Sequence, residues 1–76
     1  MPPRLLTHPA IARDLAERIE AGEYPTGSKL PTYRELCEMY SVSHATIQRA
    51  MMLLRAQGVV EGVSGVGVYV IKGRGG

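Results

Sequence analysis

Apolar and polar positions follow three rhythms along this chain. Between Thr7 and Ala21, Ile11, Leu15 and Ile19 recur every four residues, with Ala12 and Ala16 beside them. That spacing puts one apolar stripe on a helix. Arg13, Asp14, Glu17, Arg18 and Glu20 fill the opposite face. Arg13 and Glu17 are four apart, as are Asp14 and Arg18, so a solvated, ion-paired face is expected there. Thr7 or His8 can cap the helix, and Pro9 sits in its first turn, where a missing N–H costs nothing. Gly22 supplies a left-handed stop.

The next segment, Glu23 to Leu30, reads as a loop broken by Pro25 and Gly27, with Tyr24 packed beneath it. Ser28 to Leu30 can form a very short strand. Pro31 ends it, and Thr32 with Glu35 spells T-x-x-E, a capping box in which two free N–H groups are satisfied reciprocally. Leu36 and Met39, with Tyr40 beside them, form the inward face of the second helix. Ser41-Val42-Ser43 is a turn with one apolar plug, Val42. Ser43 then caps a third helix over His44 to Gln57. In it Ile47, Ala50, Met51 and Leu54 follow the i, i+3, i+4, i+7 template and face the core. Gly58 closes it. The rhythm then shortens. Val59 to Glu61 and Gly67 to Ile71 are β-prone runs around G-V-S-G-V, a hairpin pattern. A lone hairpin is marginal and must pack on the helices.

A short helix, a three-residue turn and a capped longer helix make a helix-turn-helix. Three helices followed by a hairpin give an α+β winged helix-turn-helix with a C-terminal two-stranded β-hairpin wing. Residues 1–6 are expected to be a flexible arm, 7–71 the folded domain, and 72–76 a flexible tail or linker. The chain's 76 residues leave room for a single domain, and 45% hydrophobic content suffices for one small core. One cysteine rules out an internal disulfide framework and a Cys-based zinc finger, and fits a reducing, cytoplasmic setting. No apolar run approaches the length of a membrane span. Charge is uneven. Residues 1–38 carry five basic and six acidic side chains, whereas 39–76 carry four basic residues against Glu61 alone. A basic half favours a polyanionic partner.

The ordered residues resemble the DNA-binding domain of GntR-type bacterial transcription regulators. The matching pieces are Ile19-x-x-Gly22-x-Tyr24-x-x-Gly27-x-x-Leu30-Pro31-Thr32-x-Arg34-x-Leu36, Tyr40-x-Val42-Ser43-x-x-Thr46-Ile47, Ala50-x-x-x-Leu54-x-x-x-Gly58 and Gly65-x-Gly67-x-Tyr69-Val70. The resemblance implies binding to double-stranded DNA at a pseudo-palindromic operator, with the third helix in the major groove and the wing near the minor groove. It also implies a homodimer, on DNA or in a full-length protein, and a repressor or other regulator. In the family a separate C-terminal domain binds an effector; nothing in this chain corresponds to it, so an isolated domain or a piece of a longer protein is expected.

The resemblance also implies site residues. Arg34 matches a DNA-contacting arginine; its alternative is an ion pair with Glu38. An arginine can clamp a phosphate or read guanine O6 and N7. Ser43 is first a cap and second a phosphate contact. His44 stands where arginine is usual, and a neutral histidine cannot make arginine's forked contact. Ala45 is small and allows close approach. Thr46 matches a contacting position, against the alternative of a hydroxyl bonded back to its own helix. Gln48 again replaces arginine and suits adenine. Arg49 could restore a phosphate contact, though neighbours on a helix point about 100° apart. Ser64 and Gly65 form the wing tip. Val66 and Glu61 stand where basic residues are common, which weakens the wing's electrostatic grip.

Other chemistry finds little support. His8 and His44 lie on different helices, and no catalytic motif is present, so no enzyme activity, cofactor or metal is expected. No helix follows Gly62-x-x-Gly65-x-Gly67, so a nucleotide loop is not expected there. Four tyrosines without Phe or Trp offer few platforms for single strands. Cys37 reads as a small buried thiol rather than a redox sensor, and Met39, Met51 and Met52 as packing or edge residues rather than a copper site. The competing function is a winged-helix protein-interaction module built on Glu61, Val63 and Val66.

Overall fold

A computed structural model describes residues 7–71. It contains α1 (His8–Glu20), α2 (Tyr33–Tyr40), α3 (His44–Ala56), β1 (Val60–Val63) and β2 (Gly67–Val70). The expected arm and tail fall outside the described residues.

The third helix is the hub; it packs on α1, α2 and β1. Its stripe of Ile47, Ala50, Met51 and Leu54 is wholly removed from solvent. Ile11, Leu15 and Ile19 of α1 and Leu36 of α2 close over it, with Leu30, Val60 and Val70 from the sheet side. Each fully buried aliphatic side chain contributes about 1.5–3 kcal/mol. The core is therefore one patch shared by every element.

Caps set the helix ends. Thr7 accepts from the Ala10 N–H at 3.4 Å. Both halves of the Thr32–Glu35 capping box are present, at 2.8 and 3.1 Å. The backbone bond pulls the Glu35 carboxyl below its ordinary range. Ser41 ends α2 in the left-handed region, φ +55°, and so turns the chain into α3 within three residues. Gly22 ends α1 with φ +92°, a conformation that costs glycine little.

The hairpin pairs Val60 with Val70 and Gly62 with Val68 on its inward side. The expected short strand at 28–30 is reduced to an isolated bridge at Lys29, flanked by backbone bonds to the hairpin. Leu30 N–H donates to Val68 O at 2.8 Å and Val70 N–H to Ser28 O at 2.9 Å. Lys29 bridges Tyr69. This edge ties the wing to the loop ahead of α2. β1 reaches Val63 rather than stopping at Glu61, so the expected five-residue tip shrinks to three residues. Val66 N–H donates to Val63 O at 3.0 Å, and Gly65 takes φ +77° within that turn.

Several expectations are corrected. Met39 is 46% exposed and Tyr40 takes the inward place. Tyr40 donates its hydroxyl to Asp14 at 2.6 Å, across 26 residues of chain. Asp14 also pairs with Arg18 at 2.9 Å, and Arg18 reaches Glu23 at 2.9 Å. The Tyr40 bond, then Arg18, hold the Asp14 carboxyl below its usual range. Burial, then Asp14, push the Tyr40 phenol well above its own. So this face of α1 is a polar joint to α2, not merely solvated. Arg13 and Glu17, by contrast, form no ion pair; among the described residues only Arg18 does. Cys37 is half-buried against the core rather than enclosed.

Candidate nucleic-acid interface

The polar first turns of α3 carry most of the site. Ser43 is the N-cap; its Oγ accepts from the Thr46 N–H at 3.3 Å. The two hydroxyls lie 3.1 Å apart, and either can donate. With Ser43 donating, the Thr46 hydroxyl proton is left for an outside acceptor. Thr46 is half-buried and bonded to its cap, and in that arrangement it keeps one donor to offer. His44, Ala45, Gln48 and Arg49 are exposed. They lie off the buried stripe because Ile47, Ala50 and Met51 occupy it, and the 3.6-residue repeat turns the others outward.

Arg34 lies one residue into α2, exposed, and makes no ion pair with Glu38. Its place in the first turn puts it at the positive dipole end of α2. The starts of α2 and α3 are brought together by Tyr33 and His44, whose ring centroids are 5.4 Å apart. His44 is exposed, with its ring tilted against that of Tyr33.

Ser64 and Gly65 sit at the exposed tip of the hairpin. They line an open groove together with Tyr33, Arg55 and the rest of the hairpin from Gly62 to Val68. Arg55 Nη2 donates to Tyr33 Oη at 3.0 Å. Tyr33 and Arg55 are the residues that sequence reasoning passed over. Arg55 lies eleven residues beyond His44, on the same side of α3, and that spacing was the available signal. Tyr33 offered none, because its two partners are distant in sequence. The arrangement joins two capped helix starts, a polar helix turn and a wing tip along one surface. Arg34, Arg49 and Arg55 are exposed beside it and, among the described residues, make no ion pair.

Comparison with known proteins bears on this surface. Residues 7–70 match the family model described as bacterial regulatory proteins, gntR family. The chain is similar to the Uxu operon regulator of Haemophilus influenzae, 39% identical over 66 residues, covering 87% of this chain and 25% of that protein. It is 39% identical over 61 residues to the Exu regulon transcriptional regulator of Escherichia coli K12, covering 80% of this chain and 24% of the relative. It thus spans about a quarter of the length of these curated relatives. Among solved structures it is similar to AraR(DBD) in complex with operator ORX1, with TM-score 0.82 and 30% identity, covering 88% of this chain and 81% of that one.

Proposed function

The chain belongs to the gntR family of bacterial regulatory proteins, and on that premise we propose that residues 7–71 are the sequence-specific, double-stranded-DNA-binding domain of a transcriptional repressor. The observation that carries the proposal is the meeting of two capped helix starts through Tyr33 and His44, with Arg34 and the polar turn of α3 exposed beside them. Free N–H groups at helix starts seat phosphates. The exposed side chains between them meet base edges.

In this reading α3 enters the major groove and the hairpin tip lies near the minor groove. Ser43 and Thr46 contact the backbone or a base edge. Ala45 permits close approach. Gln48 reads adenine, His44 makes a single bond beside Tyr33, and Arg49 meets a phosphate. Ser64 and Gly65 bring backbone rather than charge to the minor groove. One module of this size offers limited contact, so two copies bind a pseudo-palindrome. The protein acts in the cytoplasm as a binding protein and not as a catalyst.

A salt series on duplexes selected from a random pool tests this. Affinity should fall steeply as salt rises, and selected duplexes should outcompete mixed ones. Salt-insensitive binding, or equal binding to all duplexes, overturns it. The exposed Val63 and Val66 favour a protein-interaction module as the second reading. That reading predicts DNA behaviour unchanged by Arg34→Ala.

A further inference from the structure

Where the start of α2, the end of α3 and the hairpin converge, they enclose an open groove of ≈ 550 Å³. Among the described residues that line it, Arg55 is the cation, and the Lys29 side chain lies against Gly67 at its edge. Its guanidinium is held on two sides. Nη2 donates to Tyr33 Oη at 3.0 Å. The group also lies against the bare backbone of Gly62, where a methyl would stand 2.9 Å from Nη2 and 3.2 Å from Cζ. Neither support is charged. Among the described residues Arg55 makes no ion pair, since both pairs belong to Arg18. A guanidinium carries five N–H donors in a rigid fork that matches phosphate oxygens. One is used here, and the side chain is exposed.

Its place on α3 says what it meets. Eleven residues make about three turns, so Arg55 shares a helix side with His44 and Gln48. At 1.5 Å per residue the two ends of that row stand about 16 Å apart. The major groove is about 12 Å wide. A helix seated by its first turns therefore carries Arg55 past the base edges to the sugar–phosphate wall, next to the hairpin. We infer that Arg55, positioned by Tyr33 and by the absence of a side chain at Gly62, binds a backbone phosphodiester of the duplex. The inference rests on the DNA-binding reading above. Tyr33 is a positioning residue: it removes rotamer freedom from Arg55 before DNA arrives, which lowers the entropy lost on binding.

The test is a salt series on the tightest selected duplex and on a mixed-sequence one, with folding followed by circular dichroism. Arg55→Gln should weaken binding to both duplexes alike and reduce the salt slope by about one unit. Arg55→Lys should keep the slope. Tyr33→Phe should weaken binding several-fold with the slope kept, because the charge remains. Gly62→Ala should displace the guanidinium and weaken binding in the wild-type background, with no further loss in Arg55→Gln. A slope unchanged by Arg55→Gln, or a loss confined to particular base pairs, overturns the inference. So does tight saturation of the Arg55 Nε NMR signal by inorganic phosphate alone, which marks a free-anion site. If wild type binds with salt dependence and Arg34→Ala weakens it while the Arg55→Gln slope stands, only the Arg55 assignment falls. Salt-insensitive binding by wild type removes the DNA reading and this inference together.

Discussion

The two polar faces of this small domain treat their charges in opposite ways. On the α1 side, Arg18 is bonded to both Asp14 and Glu23, and Asp14 also takes the Tyr40 hydroxyl. At this joint Asp14, Arg18 and Glu23 answer one another, and the Tyr40 bond to Asp14 fastens α1 to α2. On the α3 and hairpin side, Arg34, Arg49 and Arg55 have no carboxylate partner among the described residues. Arg55 is held by a neutral phenol and a glycine instead. A face whose charges are neutralised internally stabilises the fold. A face whose cations are oriented but left uncompensated is ready for an anion from outside.

That contrast can be broken or sharpened by substitution. Ile47→Ala removes a fully buried side chain from the hub helix and should cost about 2–5 kcal/mol. Denaturant unfolding should show it, and both faces should fail together, because they share one core. Arg34→Ala should leave the unfolding midpoint in place and cost about 1–3 kcal/mol of DNA affinity. A shift in midpoint with affinity intact would place Arg34 on the wrong face. Tyr40→Phe should do the reverse. It deletes one bond to Asp14, which keeps Arg18, so about 1 kcal/mol of stability should be lost and DNA affinity unchanged.

The smallest effect concerns pH. Asp14 and Glu35 both have carboxyls lowered in the folded state from ordinary values of 3.8 and 4.5. Their contribution is fully present above those values and is lost as pH falls through the lower, folded ones. An acid titration should therefore show stability falling below about pH 4. In Tyr40→Phe the fall should be shallower, since the largest cause of the Asp14 shift is gone.

Much of the fold could be read from residue spacing because its signals are local. The T-x-x-E box, the four-residue repeats of α1 and the core stripe of α3 each act within a turn or two. The second helix was harder. It has only two turns, and Met39 and Tyr40 are three and four residues from Leu36, so periodicity fits either one inside. The choice is made by Asp14, a partner 26 residues away that only the fold brings near. The hairpin tip is shorter than the residue pattern suggests, because Gly62 looks like turn punctuation. In the structure it is a strand residue opposite Val68, bare because Arg55 lies over it. The candidate site shows the same division. Its members on α3 follow from helix phase. The Tyr33–His44 contact and the Tyr33–Arg55 bond span 11 and 22 residues, and no local pattern announces them.

Titration of the labelled chain with a selected duplex, followed by backbone and arginine side-chain NMR shifts, tests the central claim most directly. The account predicts that the largest changes fall at Arg34, Ser43 to Arg49, Arg55 and the Ser64–Gly65 tip. The Asp14, Arg18 and Tyr40 signals should stay in place. Shifts concentrated around Arg13, Glu17 and Arg18, with Arg34 and Thr46 unmoved, would contradict it.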